Sequence, residues 1–263
     1  ICFCASELLF SSLSLASSRG NSFNPDIGLN ALMLYQNSNR GNESNLRDRN
    51  GASLQEAELQ FSADVDPYWR IVSAFAIAQK VTVDETVSPA TRSAEYGIEP
   101  EELFAETLSF PGFTVRAGKF KAAFGKHNLL HTHAFPFIDA PRVHQVLLGD
   151  EGLNDVGISG AGLLPTPWFS EITGQILSGQ GDGLEYFQAA SANDSVALLQ
   201  WKNLWDLTED FTFEFGAAGA TGRNAASRTT NLYGFDATFK WRGGRSHALI
   251  WTTEFIARDN DQA

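Results

Sequence analysis

Tyr233-Gly234-Phe235-Asp236-Ala237-Thr238-Phe239-Lys240-Trp241, followed at once by the turn Arg242-Gly243-Gly244-Arg245, fixes the architecture of this chain. Successive side chains of a β-strand point to opposite faces. This run therefore sets Tyr, Phe, Ala, Phe and Trp on one face and Gly, Asp, Thr and Lys on the other. The segments beside it behave alike. Phe211, Phe213 and Phe215 oppose Thr212, Glu214 and Gly216, while Leu249, Trp251 and Phe255 oppose Thr252 and Glu254.

Working outward, the same period of two predicts strands at 27–36, 56–63, 69–80, 113–118, 156–164 and 171–176. Weaker alternation marks two more, at 102–108 and 195–201, so roughly eleven strands are expected. Alternation alone would also suit a soluble sandwich with a polar outer surface. The connections separate the two. Asp64-Val65-Asp66-Pro67, Ser109-Phe110-Pro111-Gly112, Pro165-Thr166-Pro167 and Arg242-Gly243-Gly244-Arg245 are tight. Between them run long connections at 37–52, 82–97, 121–154, 178–194 and 217–230. Short turns at one end and long loops at the other are the habit of an outer-membrane barrel. Trp69, Trp168, Trp201, Trp205 and Trp241 gather near the short connections, as an interfacial girdle would, and Trp251 is placed well inside a strand. The expected fold is all-β: an antiparallel up-and-down transmembrane β-barrel, truncated, with residues 21–263 as the barrel domain and C-terminal strands missing.

Composition fits this reading. The chain is 43% hydrophobic and holds 20 Phe and 6 Trp, yet no apolar run approaches the length of a spanning helix. A formal charge of −12 argues against nucleic acid as a partner. Cys2 and Cys4 lie in residues 1–20, where Leu8-Leu9-Phe10 followed by small residues reads as a partial signal peptide or disordered segment.

Concentrated chemistry appears only in the third long loop, which carries four of the five histidines between positions 127 and 144. Three readings of it compete. His127, His131, His133, Asp139 and His144 form a donor set for zinc or another divalent ion. Alternatively, the loop turns inward and narrows a pore, with Arg116, Lys119, Lys121, Lys126 and Arg142 setting an anion preference at the constriction. In the third reading the histidines, with Phe135, Phe137 and Ile138, simply pack the loop against the wall. Polar-face residues Glu56, Glu58, Arg70, Glu106, Glu171, Glu214, Asp236 and Lys240 would line the lumen. No spacing commits a catalytic set, so an enzyme is not expected.

Ala117-Gly118-Lys119-Phe120 with Phe124-Gly125 resembles the strand-and-loop signature of phosphate-selective porins O and P. His131-Thr132-His133-Ala134-Phe135 and Phe137-Ile138-Asp139-Ala140-Pro141 are closer still to porin-like proteins labelled zinc-regulated TonB-dependent outer-membrane receptors. The resemblance implies a bacterial outer-membrane barrel with a link to zinc supply. The expectation is a porin-like channel for passive diffusion of small solutes or ions, seated in outer-membrane lipid, with homo-oligomer formation left open. The alternative is an outer-membrane protein that binds or takes up zinc at the His127–His144 loop.

Overall fold

The computed structural model describes residues 25–37, 51–84, 91–149, 152–181, 186–188, 191, 194–244 and 246–260. The expected signal segment, with Cys2 and Cys4, lies outside them. Eleven strands follow one another as β1 (Asp26–Gln36), β2 (Gly51–Asp64), β3 (Trp69–Asp84), β4 (Thr91–Thr107), β5 (Phe113–Lys121), β6 (Asn154–Leu163), β7 (Phe169–Leu177), β8 (Val196–Thr208), β9 (Phe211–Arg223), β10 (Thr229–Arg242) and β11 (Ala248–Asn260). Each pairs antiparallel with its sequence neighbours in a single sheet of order β1 to β11. This is the all-β, up-and-down architecture that the alternation predicts. Among the described residues the ladder is open between β1 and β11.

The two faces are inverted relative to a water-soluble protein. On β1, Ile27, Leu29, Met33 and Tyr35 are exposed, Met33 by 81%. On β10 and β11, Tyr233, Phe235, Trp241, Leu249, Trp251 and Phe255 are exposed as well. The opposite face buries Glu56, Glu58, Thr173, Gln175, Gln200, Asp236 and Thr238, with Glu58 only 1% exposed. The sheet curls polar face inward, so that one internal loop reaches β1 at one edge and β11 at the other.

An aromatic chain crosses the outer face near the short turns. Trp168 meets Trp205, which stacks on Phe213; Phe213 stacks on Phe239, and Phe239 meets Trp251. Trp251 is thus not well inside its strand, contrary to expectation: it joins this aromatic chain near the start of β11, where its register partner Phe239 lies close to the β10–β11 turn. Two long connections are shorter than expected. β3 and β4 continue to Asp84 and Thr91, and β9 and β10 continue to Arg223 and Thr229. The ladder there extends through residues whose polar side chains hide the alternation. The connection between β5 and β6 remains long, from Lys121 to Asn154.

Candidate functional site

Residues 122–149 and 152–153 follow β5 and lie on the concave side of the sheet. They hold two 3-10 turns, His127–Leu129 and Thr132–Ala134, and one short helix, α1 (Arg142–Leu147). The base is clasped by Asn128, a buried amide that donates to Ala122 O (2.8 Å) and Leu153 O (3.0 Å) and accepts from Leu153 N (2.7 Å). Phe124 is fully buried in an apolar cluster with Phe120, Leu153, Leu198, Leu232 and Ile256.

Beyond the clasp the loop is held by wall side chains. Ala123 N donates to Gln175 Oε1 (2.9 Å), and Gln200 Nε2 donates to Gly125 O (3.2 Å). Lys126 Nζ donates to Glu214 (3.1 Å) and to Thr238 Oγ1 (2.8 Å). Gly125 has φ +67°, and a Cβ there would overlap Glu254 Oε1. Both facts demand glycine, since only it adopts this backbone without strain and leaves room for the carboxylate.

Glu254 of β11 is the first of two centres. Its Oε1 accepts from Lys126 N (3.0 Å), and its Oε2 accepts from His127 Nδ1 (2.6 Å) and His144 Nε2 (2.8 Å). With each imidazole directing one N–H at this oxygen, the arrangement is satisfied by hydrogen bonds. It ties the 3-10 turn and α1 to a single strand.

The second centre is built on β2 and β4, where register shifts matter. Ala74 pairs with Glu102 while Phe75 pairs with Pro100, so Glu101 is the extra residue of a β-bulge. A bulge turns two consecutive side chains towards one face. Glu101 and Glu102 both reach His131 in this way: Glu101 Oε2 lies 2.8 Å from Nδ1 and Glu102 Oε2 3.0 Å from Nε2. Glu58 Oε2 lies 3.0 Å from His131 Nδ1 and 3.2 Å from His133 Nδ1. Burial works against a charged His131. The carboxylates of Glu101, Glu102 and Glu58 outweigh it and push the ring's pKa up to about 11, so His131 is an imidazolium at neutral pH.

The expected metal set is therefore divided. His127 and His144 join Glu254, whereas His131 and His133 join the β2–β4 carboxylates. Asp139 is exposed and belongs to none of the His–carboxylate groups among the described residues. The constriction set divides too. Lys119 shares the outward face with its register partners Leu103 and Val156, so it is not in the lumen. Arg142 is exposed at the start of α1. Arg116 is on the wall towards a short turn, 3.0 Å from Glu106 and over the Phe104 ring. Lys121 and Lys126 do enter, and they lie against Glu101 (3.9 Å) and Glu214 (3.1 Å).

The expected wall residues all fall on the polar face. Glu56, Glu58 and Asp236 are buried there; Glu106, Glu171, Glu214 and Lys240 are half-buried, and Arg70 pairs with Asp64 at 2.7 Å. Glu101 and Glu102 escaped sequence reading as ligands of the loop because a bulge breaks the alternation that would reveal them. Asn128 carried no signal either, since a polar loop residue gives no hint of its burial.

No protein-family model matches this chain, and no solved structure matches it. An uncharacterized protein of Aquifex aeolicus (strain VF5) is 31% identical over 247 residues, which cover 86% of this chain and 49% of that protein. The chain thus spans about half the length of the curated relative it matches.

Proposed function

We propose that this chain forms the wall of a porin-like channel of the bacterial outer membrane, which passes small solutes or ions by passive diffusion and is narrowed by the β5–β6 loop. The observation that carries the reading is the inversion of the faces. Apolar side chains such as Met33, Phe235 and Trp251 stand exposed, while Glu58, Gln200 and Asp236 are enclosed. Hydrocarbon as the outer solvent makes both halves of that pattern favourable at once. The aromatic chain from Trp168 to Trp251 then lies at a lipid–water boundary. The sequence resemblance to phosphate-selective porins and to zinc-regulated outer-membrane receptors points the same way.

The loop brings Lys126 across to β9 and β10, and it rests on wall carboxylates. Its lysines are largely neutralised there, so the remaining acids of the wall favour cations in the passage. Full-length protein inserted into planar bilayers under a salt gradient tests the proposal. Stepwise conductance with a reversal potential of cation-selective sign is expected. A protein that inserts and passes no current overturns the channel.

A further inference from the structure

Glu56 and Glu58 of β2 meet His133 of the loop, one ligand atom from each lying within 4.8 Å of the others. Glu56 Oε1, Glu58 Oε2 and His133 Nδ1 are all buried and make no hydrogen bond of regular geometry among the described residues, although Glu58 Oε2 lies 3.0 Å from His131 Nδ1 and 3.2 Å from His133 Nδ1. Both glutamates are more than nine-tenths buried. Glu56 Oε1 has no such neighbour, and a buried acceptor left without a partner is costly and calls for a ligand. Glu254, by contrast, has its two histidines aligned on it as hydrogen-bond donors.

The surroundings orient these atoms. Glu58 Oε1 accepts from Gln60 Nε2, which leaves Oε2 directed at the gap. The Asn30 amide lies 3.4 Å from His133 Nε2. Charge agrees. Four carboxylates of β2 and β4 meet one lysine and two imidazoles, so negative charge is in excess even with both rings protonated.

We infer that Glu56, Glu58 and His133 bind a divalent first-row metal ion of the zinc type, which clips the β5–β6 loop to β2. One imidazole and two carboxylates suit such an ion, with water completing the shell. The imidazole disfavours magnesium and calcium, which prefer oxygen. Metal bonds of about 2.1 Å place donors about 3.4 Å apart, near the 3.2 Å that separates Glu58 Oε2 from His133 Nδ1. The site needs only the loop and β2, so binding is read without any conductance measurement and stands apart from the channel proposal.

The test is zinc titration of full-length protein folded in detergent after chelator treatment, followed by cobalt substitution and visible absorption. One equivalent of zinc is expected, with cobalt bands of a nitrogen- and oxygen-ligated ion. Glu56→Gln, which keeps shape and folding, and His133→Ala should each weaken binding at least about tenfold. His247→Ala, in the distant β10–β11 turn, should leave it unchanged. The absence of zinc binding overturns the site. So does undiminished binding in folded Glu56→Gln and His133→Ala, or binding lost in His144→Ala and kept in His133→Ala.

Discussion

His131 is held from three sides by Glu58, Glu101 and Glu102. Its pKa in the folded protein, about 11, lies far above the ordinary value near 6.5 that the unfolded chain would show. The folded state therefore keeps a proton that the unfolded state releases. The stabilisation is complete below about pH 6.5 and declines as pH rises towards about 11. In the metal-free protein, the stability advantage of the native chain over His131→Asn should be largest near about pH 6 and should shrink by about pH 10. Urea unfolding in detergent at a series of pH values measures it, and an advantage that grows with pH would contradict the assignment. Of this residue, the sequence revealed only that it lies in a histidine-rich loop. Its charge state depends on a β-bulge at Glu101, and nothing local to His131 announces that.

At the scale of elements, the β5–β6 loop is fastened at two places with different chemistry. Glu254 supplies one, through Lys126 N, His127 and His144. Glu254→Ala would leave two imidazoles and a backbone N–H without their acceptor, at a cost of about 2 kcal/mol or more. The expected result is a loop cut readily by trypsin at Arg142, with the barrel's heat-modifiable gel mobility retained. Equal protease resistance in the variant would show that Glu254 does not anchor the loop. The strands themselves were legible because each sets a repeated apolar face against a repeated polar one. β10 is the clearest, with Tyr233 to Trp241 alternating without interruption. β4 was ambiguous because Pro100 and the bulge at Glu101 interrupt its period. The inward course of the loop was legible only as an option. His–carboxylate pairing between residues more than a hundred positions apart has no local signature.

For the molecule as a whole, the inverted faces make a sharp forecast. Phe235 is half exposed on the outward face of β10, near the middle of the strand. On a water-facing surface Phe235→Arg would change stability by no more than about 0.5 kcal/mol. Facing hydrocarbon, it should cost about 2 kcal/mol or more. Reversible unfolding from lipid vesicles distinguishes the two, and a neutral result would argue for water outside the sheet. Inside and outside could not be assigned from the alternation of any one strand, since the pattern is symmetric in solvent. The unequal lengths of the connections broke that symmetry, and the exposure of Met33 against the burial of Glu58 agrees with the choice.

The attachment of the loop to Glu254 also has a consequence in time. His127 and Glu254 are 127 positions apart, and His144 and Glu254 are 110 apart. Contacts of such separation close late, after nearer pairings have formed. The first ten strands can pair, and His131 can meet the carboxylates of β2 and β4, while His127 and His144 still lack an acceptor. Arrival of the eleventh strand supplies it, so one end of the segment is seated before the other, and the order is written in where one carboxylate sits along the chain.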